Sequence, residues 1–161
     1  MRFRLFILPV AVIALLSIGL HAQATQTKPD FSGVWTLVAD KSDFGGMPAP
    51  ATMTRTITHK DPALTIIVAQ TGGAQGDTTV TANLSTDGKP HTNDVAGQSM
   101  TSTGKWDGNA IVLHSTVSAD GADVTLDDRY ELSDGGKTLT LTRKIAAPDG
   151  GLTMKIVMAK K

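Results

Sequence analysis

Across 161 residues the chain carries 15 basic and 15 acidic side chains, so it lacks the basic excess that a nucleic-acid-binding surface needs. It has no cysteine, which excludes a disulfide framework, thiolate metal sites and a cysteine nucleophile. Apolar residues make up 40% of the chain but aromatics only 4%, so a single domain's core must come from mid-sized aliphatic side chains.

The chain opens with Arg2 and Arg4, an apolar run from Leu5 to Leu20, and then Ala22-Gln23-Ala24. A positive start, a short apolar stretch and small residues where a signal peptidase reads predict a removable export signal over residues 1–24. The apolar run is about 16 residues, short of the roughly 20 that a spanning helix needs. An uncleaved anchor is the alternative to a cleaved signal. Cleavage leaves one domain, residues 25–161, with 13 basic and 15 acidic side chains once Arg2 and Arg4 are gone. The compartment this predicts is the periplasm or the exterior of a bacterial cell, with no stable membrane insertion after cleavage.

Ten short alternating runs follow. The pattern predicts strands at Phe31–Val38, Thr52–His59, Leu64–Thr71, Thr78–Ser85, Lys89–Asn93, Gln98–Trp106, Ala110–Ser118, Asp123–Leu132, Lys137–Ile145 and Leu152–Ala159. In the second of these, Met53, Arg55, Ile57 and His59 take one face and four threonines take the other. Threonine occurs 22 times, mostly on the outer phase, where a β-branched residue suits the pleat and its hydroxyl tolerates water. No window has a helical period. Asp87-Gly88, Asp107-Gly108, Asp120-Gly121, Asp134-Gly135 and Asp149-Gly150 supply the left-handed positions of short hairpins. Sequential hairpins make an up-and-down order the simplest topology. The fold class is therefore all-β, a single antiparallel up-and-down β-barrel of about eight to ten strands; a flattened clam or a β-sandwich is the alternative.

One connection breaks the rhythm. Asp40 to Ala51 contains Gly45, Gly46, Pro48 and Pro50 and is no regular strand, with room for one helical turn around Ser42–Phe44. A loop of this length is a lid over a binding site or a strap across one open end, with Phe44 as its plug. The two roles are compatible.

The opening strand, Phe31-Ser32-Gly33-Val34-Trp35, resembles the Gly-x-Trp signature of lipocalins and fatty-acid-binding proteins, the calycin group of up-and-down barrels. The resemblance implies that Gly33 and Trp35 close one end of the barrel, with an Arg or Lys of a late strand packed across the indole. Arg143, in phase with Leu139 and Leu141, is the matching position. Ten strands in this length look more like the fatty-acid-binding branch. The chain departs from that branch where a Gly/Pro loop replaces the two-helix lid. Lys155 and Met158 also stand on the final strand where its Arg-x-Tyr carboxylate clamp would be, and Asp127-Asp128-Arg129-Tyr130 does not match the lipocalin Thr-Asp-Tyr motif. The chain is also similar to small exported bacterial proteins of lipocalin type.

The inward phase carries Met, Leu, Ile and Val, and few large rings in a wide barrel leave either a cavity or a collapsed core. A cavity of that lining takes an apolar or amphiphilic small molecule. The candidate ligand contacts are Arg55, Ile57, Ile66, Met100, Leu113, Arg143 and Met154. Arg55, His59, Asp128 and Arg143 share the inward phase, and a buried charge must be paired or await a charged ligand. Either Arg55 or Arg143 anchors a carboxylate, or Arg143 stacks on Trp35 while Arg55 pairs with Asp128 and His59 stays exposed as a turn residue. Arg143 leans towards stacking; Arg55 fits both readings equally.

No catalytic constellation is visible, so the chain reads as a binding protein and not an enzyme. There is no Gly-x-Ser-x-Gly elbow, and Asp127 and Asp128 point to opposite faces of one strand. Among the predicted mature residues His59, His91 and His114 are scattered, so neither a metal nor another cofactor is expected. Asn83-Leu84-Ser85 matches a glycosylation sequon with no other sign of a eukaryotic host. Gly72 to Gly76 reads as a hairpin tip. The function expected is binding of a hydrophobic small molecule in the lumen; the alternative is an envelope interaction or structural module with no internal ligand.

Overall fold

Each alternating run becomes a strand. The computed structural model describes residues 27–74, 76–95, 97–119 and 122–161; the expected export segment and the Asp120-Gly121 turn lie outside them. In chain order the strands are β1 (Gly33–Leu37), β2 (Thr52–Lys60), β3 (Ala63–Thr71), β4 (Thr78–Ser85), β5 (Asp87–Val95), β6 (Gln98–Asp107), β7 (Ala110–Ala119), β8 (Ala122–Ser133), β9 (Thr138–Ala147) and β10 (Gly150–Lys160). Two single 3-10 turns, Ala39–Lys41 and Asp134–Gly136, complete the described elements. The first lies a few residues ahead of the turn expected at Ser42–Phe44.

The strands form one antiparallel sheet in the order β4-β3-β2-β1-β10-β9-β8-β7-β6-β5. One continuous ten-stranded sheet excludes the two-layer sandwich. First and last strands pair, with Trp35 opposite Lys160 and Leu37 opposite Met158. The seam falls instead between β4 and β5, the two ends of that order, where the described residues form no ladder. On β5 the register shifts between Asp87 and Pro90, and a proline, having no N–H, is at home on such an edge.

Side chains hold this seam. Asn93 Oδ1 accepts the Asn83 backbone N–H at 2.7 Å, and Asn93 Nδ2 donates to the Asn83 carbonyl at 2.9 Å. One amide thus supplies both halves of a missing backbone pair. At about 0.5–1.5 kcal/mol net per bond, Asn93→Ala is expected to cost about 1–2 kcal/mol. It should also speed hydrogen exchange at the Asn83 amide; unchanged exchange there would show that the seam does not rely on this clip.

Alternation delivers the core. Met53, Ile57, Leu64, Ile66, Leu139, Leu141, Met154, Ile156 and Met158 are buried on the inner face, each worth about 1.5–3 kcal/mol when taken fully from water. The irregular segment after β1 runs beside β10: Asp43 N–H donates to the Lys155 carbonyl at 2.7 Å, and Lys155 N–H returns a bond to Asp43 at 2.8 Å. This pairing delivers Phe44, itself buried, to the end of the barrel where β2 begins.

The opposite end is plugged by rings. Trp35 is fully buried, and its indole N–H donates to the Phe31 carbonyl at 3.1 Å. The cation across it is Lys160, with Nζ 5.2 Å from the ring centroid, and not Arg143. The register explains this correction, because β10 pairs with β1 and sets Lys160 opposite Trp35. Gly33 makes the contact possible: a Cβ there would come within 2.7 Å of Lys160 Cε.

His59 also departs from expectation. It is a strand residue, not a turn residue, and its side chain is only 5% exposed. Phe31 and Trp106 cover it, with ring centroids 6.0 and 5.6 Å away, and its Nδ1 accepts the Phe31 N–H. Nothing in the local alternation signals that cover, since both rings come from other strands or the N-terminal segment.

Beside this plug, Thr86 Oγ1 and Trp106 Nε1 donate to Asp61 at 2.6 and 2.8 Å. These bonds hold the Asp61 carboxyl below its ordinary value. Folding therefore favours the ionised form. The contribution is present above the unfolded pKa of about 3.9 and is lost as pH falls through the lower folded value. Asp61→Asn keeps an acceptor oxygen but cannot titrate, so its acid-unfolding curve should be shallower than that of the parent. A superimposable curve would contradict the assignment.

Candidate ligand site in the barrel lumen

Between the strap and the ring plug lies a cavity of about 330 Å³. Phe44, Met47, Pro48 and Pro50 of the strap border it, together with inward residues of the strands. The volume is at the small end of the range for ligand pockets, about 300–1,000 Å³.

Of the residues expected to contact a ligand, Arg55, Ile66, Met100, Leu113, Arg143 and Met154 line this cavity. Ile57 is buried beside it, opposite Ile66 on β3 and Gly33 on β1. Gly33 and Trp35 sit in the plug. Tyr130 lines the cavity too and was not anticipated. The signal was available, because Tyr130 is two residues beyond inward Asp128 on β8.

Among the polar residues lining this chamber, Arg55, Asp128, Tyr130 and Arg143 form a cluster. The β8–β9 register sets Asp128 directly opposite Arg143. Arg143 Nε donates to Asp128 Oδ1 at 2.7 Å and its second amino group to Oδ2 at 2.6 Å, a bidentate pair. Burial lowers the Arg143 pKa, but the Asp128 charge and hydrogen bonds together outweigh it, so Arg143 titrates above the ordinary guanidinium range. In one of the two readings of the sequence Asp128 pairs with Arg55. Arg55 stands on β2 instead, across the lumen from β8, and reaches Tyr130.

Arg55 is 3% exposed. One amino group donates to the Tyr130 hydroxyl at 3.1 Å, and the guanidinium lies 5.8 Å from that ring's centroid. Among the described residues its Nε–H has no partner. Burial raises the Tyr130 pKa above its ordinary value; the Asp128 charge raises it further, and the Arg55 charge opposes both. Tyr130 is thus a neutral phenol and cannot neutralise Arg55. Two guanidinium groups face one carboxylate, so the chamber carries one uncompensated positive charge. Among the described residues no three His, Cys, Asp or Glu side chains gather as metal ligands would.

Solved structures with this fold are similar in shape and distant in sequence. A secretory abundant heat soluble protein from Ramazzottius varieornatus matches with TM-score 0.62 at 14% identity, covering 84% of this chain and 98% of its own. A zebrafish ileal bile acid-binding protein solved with cholic acid matches with TM-score 0.56 at 15% identity, covering 81% and 98%. The wild-type fluorescent protein UnaG matches with TM-score 0.53 at 21% identity, covering 81% and 97%. The chain thus shares the up-and-down β-barrel fold of these structures, in line with the calycin resemblance of its first strand. No protein-family model matches the chain, and no curated protein matches it.

Proposed function

We propose that this chain is an exported carrier or sensor of a monoanionic amphiphile, holding it in the lumen without chemical change. The observation that carries the reading is Arg55, a buried cation with an unpartnered N–H in a chamber of one net positive charge. A buried charge without compensation is costly, and an anionic head group supplies what the chain lacks. The ligand's apolar part would lie against Ile66, Met100, Leu113 and Met154, with Ile57 packed behind them. Arg143 would add attraction, although two of its five N–H groups already go to Asp128. The strap bearing Phe44 would close over the tail. Binding is also what the name of the similar zebrafish protein describes, in that case for a bile acid. The export signal over residues 1–24 would send the barrel to the periplasm or outside the cell.

Titration of residues 25–161 with laurate, followed by calorimetry, tests the reading. Charged hydrogen bonds contribute about 1.5–3 kcal/mol, so Arg55→Met is expected to weaken laurate about 10–100-fold, while dodecanol should bind the parent weakly. Fatty acids failing to bind below about 100 μM, or Arg55→Met binding as the parent does, would overturn the proposal.

A further inference from the structure

A second polar feature lies in the same lumen. Ser102 on β6 and Ser115 on β7 stand opposite each other on the inner face. They are 2% and 6% exposed, and their hydroxyl oxygens are 2.8 Å apart. The described residues make no other hydrogen bond to either hydroxyl. The count of hydrogens then matters. Two hydroxyls bring two donors, and the bond between them uses one. The other donor has no acceptor among the described residues, and a buried unsatisfied donor is uncommon. Ser115 lines the cavity and Ser102 does not. With Ser102 donating to Ser115, the spare proton is on Ser115 and faces the chamber.

The ladder fixes where this donor sits relative to the charged cluster. On the β7–β8 ladder Ile111 is opposite Tyr130, Leu113 opposite Asp128, and Ser115 opposite Leu126. Ser115 is therefore one inward step nearer the strap than the Asp128 row, about 7 Å along the strand. It is two such steps from Tyr130, the partner of Arg55.

We infer that the ligand of this lumen is an oxo-substituted acid: its anionic end at Arg55 and, several carbons along the chain, a carbonyl oxygen that accepts the Ser115 proton. This rests on the proposed binding function and narrows it. A ketone oxygen suits the pair better than a hydroxyl, because it accepts one bond and brings no hydrogen of its own. A ligand hydroxyl accepting from Ser115 leaves its own proton without a partner, and one donating to Ser115 leaves the serine proton unused. An unsubstituted methylene satisfies nothing. The affinity order is oxo, then hydroxy, then unsubstituted.

The test is calorimetric titration of residues 25–161 with laurate and with the positional series of mono-oxo and monohydroxy laurates. At least one oxo position should bind about five- to tenfold more tightly than laurate, with its hydroxy counterpart between them. In Ser115→Ala that preference ratio should fall to about one, with circular dichroism confirming the fold. Equal affinities across the series in the parent, or a ratio retained by Ser115→Ala, would overturn the inference. Laurate binding without any oxo preference refutes this assignment alone. Failure of every acid to bind refutes the lumen-binding function with it.

Discussion

Trp35→Ala is expected to lower the stability of residues 25–161 by about 3–5 kcal/mol, the range for truncating a buried large aromatic side chain. In a domain of this size that lowers the melting temperature by about 10–20 °C. Several terms act together. The indole is fully buried, donates to the Phe31 carbonyl at 3.1 Å and is covered by Lys160 at 5.2 Å. Truncation leaves a cavity at the point where β1 pairs with both β10 and β2. Trp35→Phe keeps most of the volume and loses the hydrogen bond, so its cost should be well below that of alanine. Lys160→Ala removes a cation–π contact worth about 0.5–1 kcal/mol at an exposed site. The plug lies outside the lumen cavity, so ligand affinity measured below the melting range should change little. A Trp35→Ala protein melting within a few degrees of the parent would show that the ring plug is not what closes the barrel.

Much of this was legible in the sequence for one reason: a strand's side chains alternate with period two. Met53, Arg55 and Ile57 on β2 and Met154, Ile156 and Met158 on β10 could be assigned inward without knowing their neighbours. The turn chemistry then ordered the hairpins. Register between strands was not legible, either across the β1–β10 closure or within the β8–β9 hairpin, and the misassignments arise there. Which late cation covers Trp35 depends on how β10 aligns with β1, and that alignment chooses Lys160 over Arg143. Which arginine pairs with Asp128 depends on the β8–β9 register, which brings Arg143 opposite and leaves Arg55 across the lumen. His59 is covered by Phe31 and Trp106, contacts between segments that local pattern does not encode. The unpaired seam had only weak local signs, a proline and an irregular run in β5. Its clip depends on Asn93 facing Asn83 across a gap that alternation alone does not locate.

That exchange of partners sets up the second large effect. Asp128→Asn should destabilise the ligand-free protein by about 2–4 kcal/mol, because removing one member of a buried pair leaves the other charge uncompensated. Arg143 donates to both carboxylate oxygens, whereas asparagine offers one acceptor and turns an amide toward the guanidinium. The partial exposure of Arg143, 26%, keeps the cost below that of a fully enclosed pair. The same substitution raises the net charge of the lumen from one positive unit to two. Affinity for laurate should therefore rise while stability falls, and saturating laurate should restore more melting temperature to Asp128→Asn than to the parent. Adding Arg143→Met returns the lumen to one positive unit. The double variant should regain part of the lost stability, with a coupling of about 1–3 kcal/mol between the two sites. Opposite signs for stability and affinity follow only if Asp128 competes with the ligand for positive charge. Were Asp128→Asn to weaken both together, the Asp128–Arg143 pair would instead be shaping the site that the anion enters.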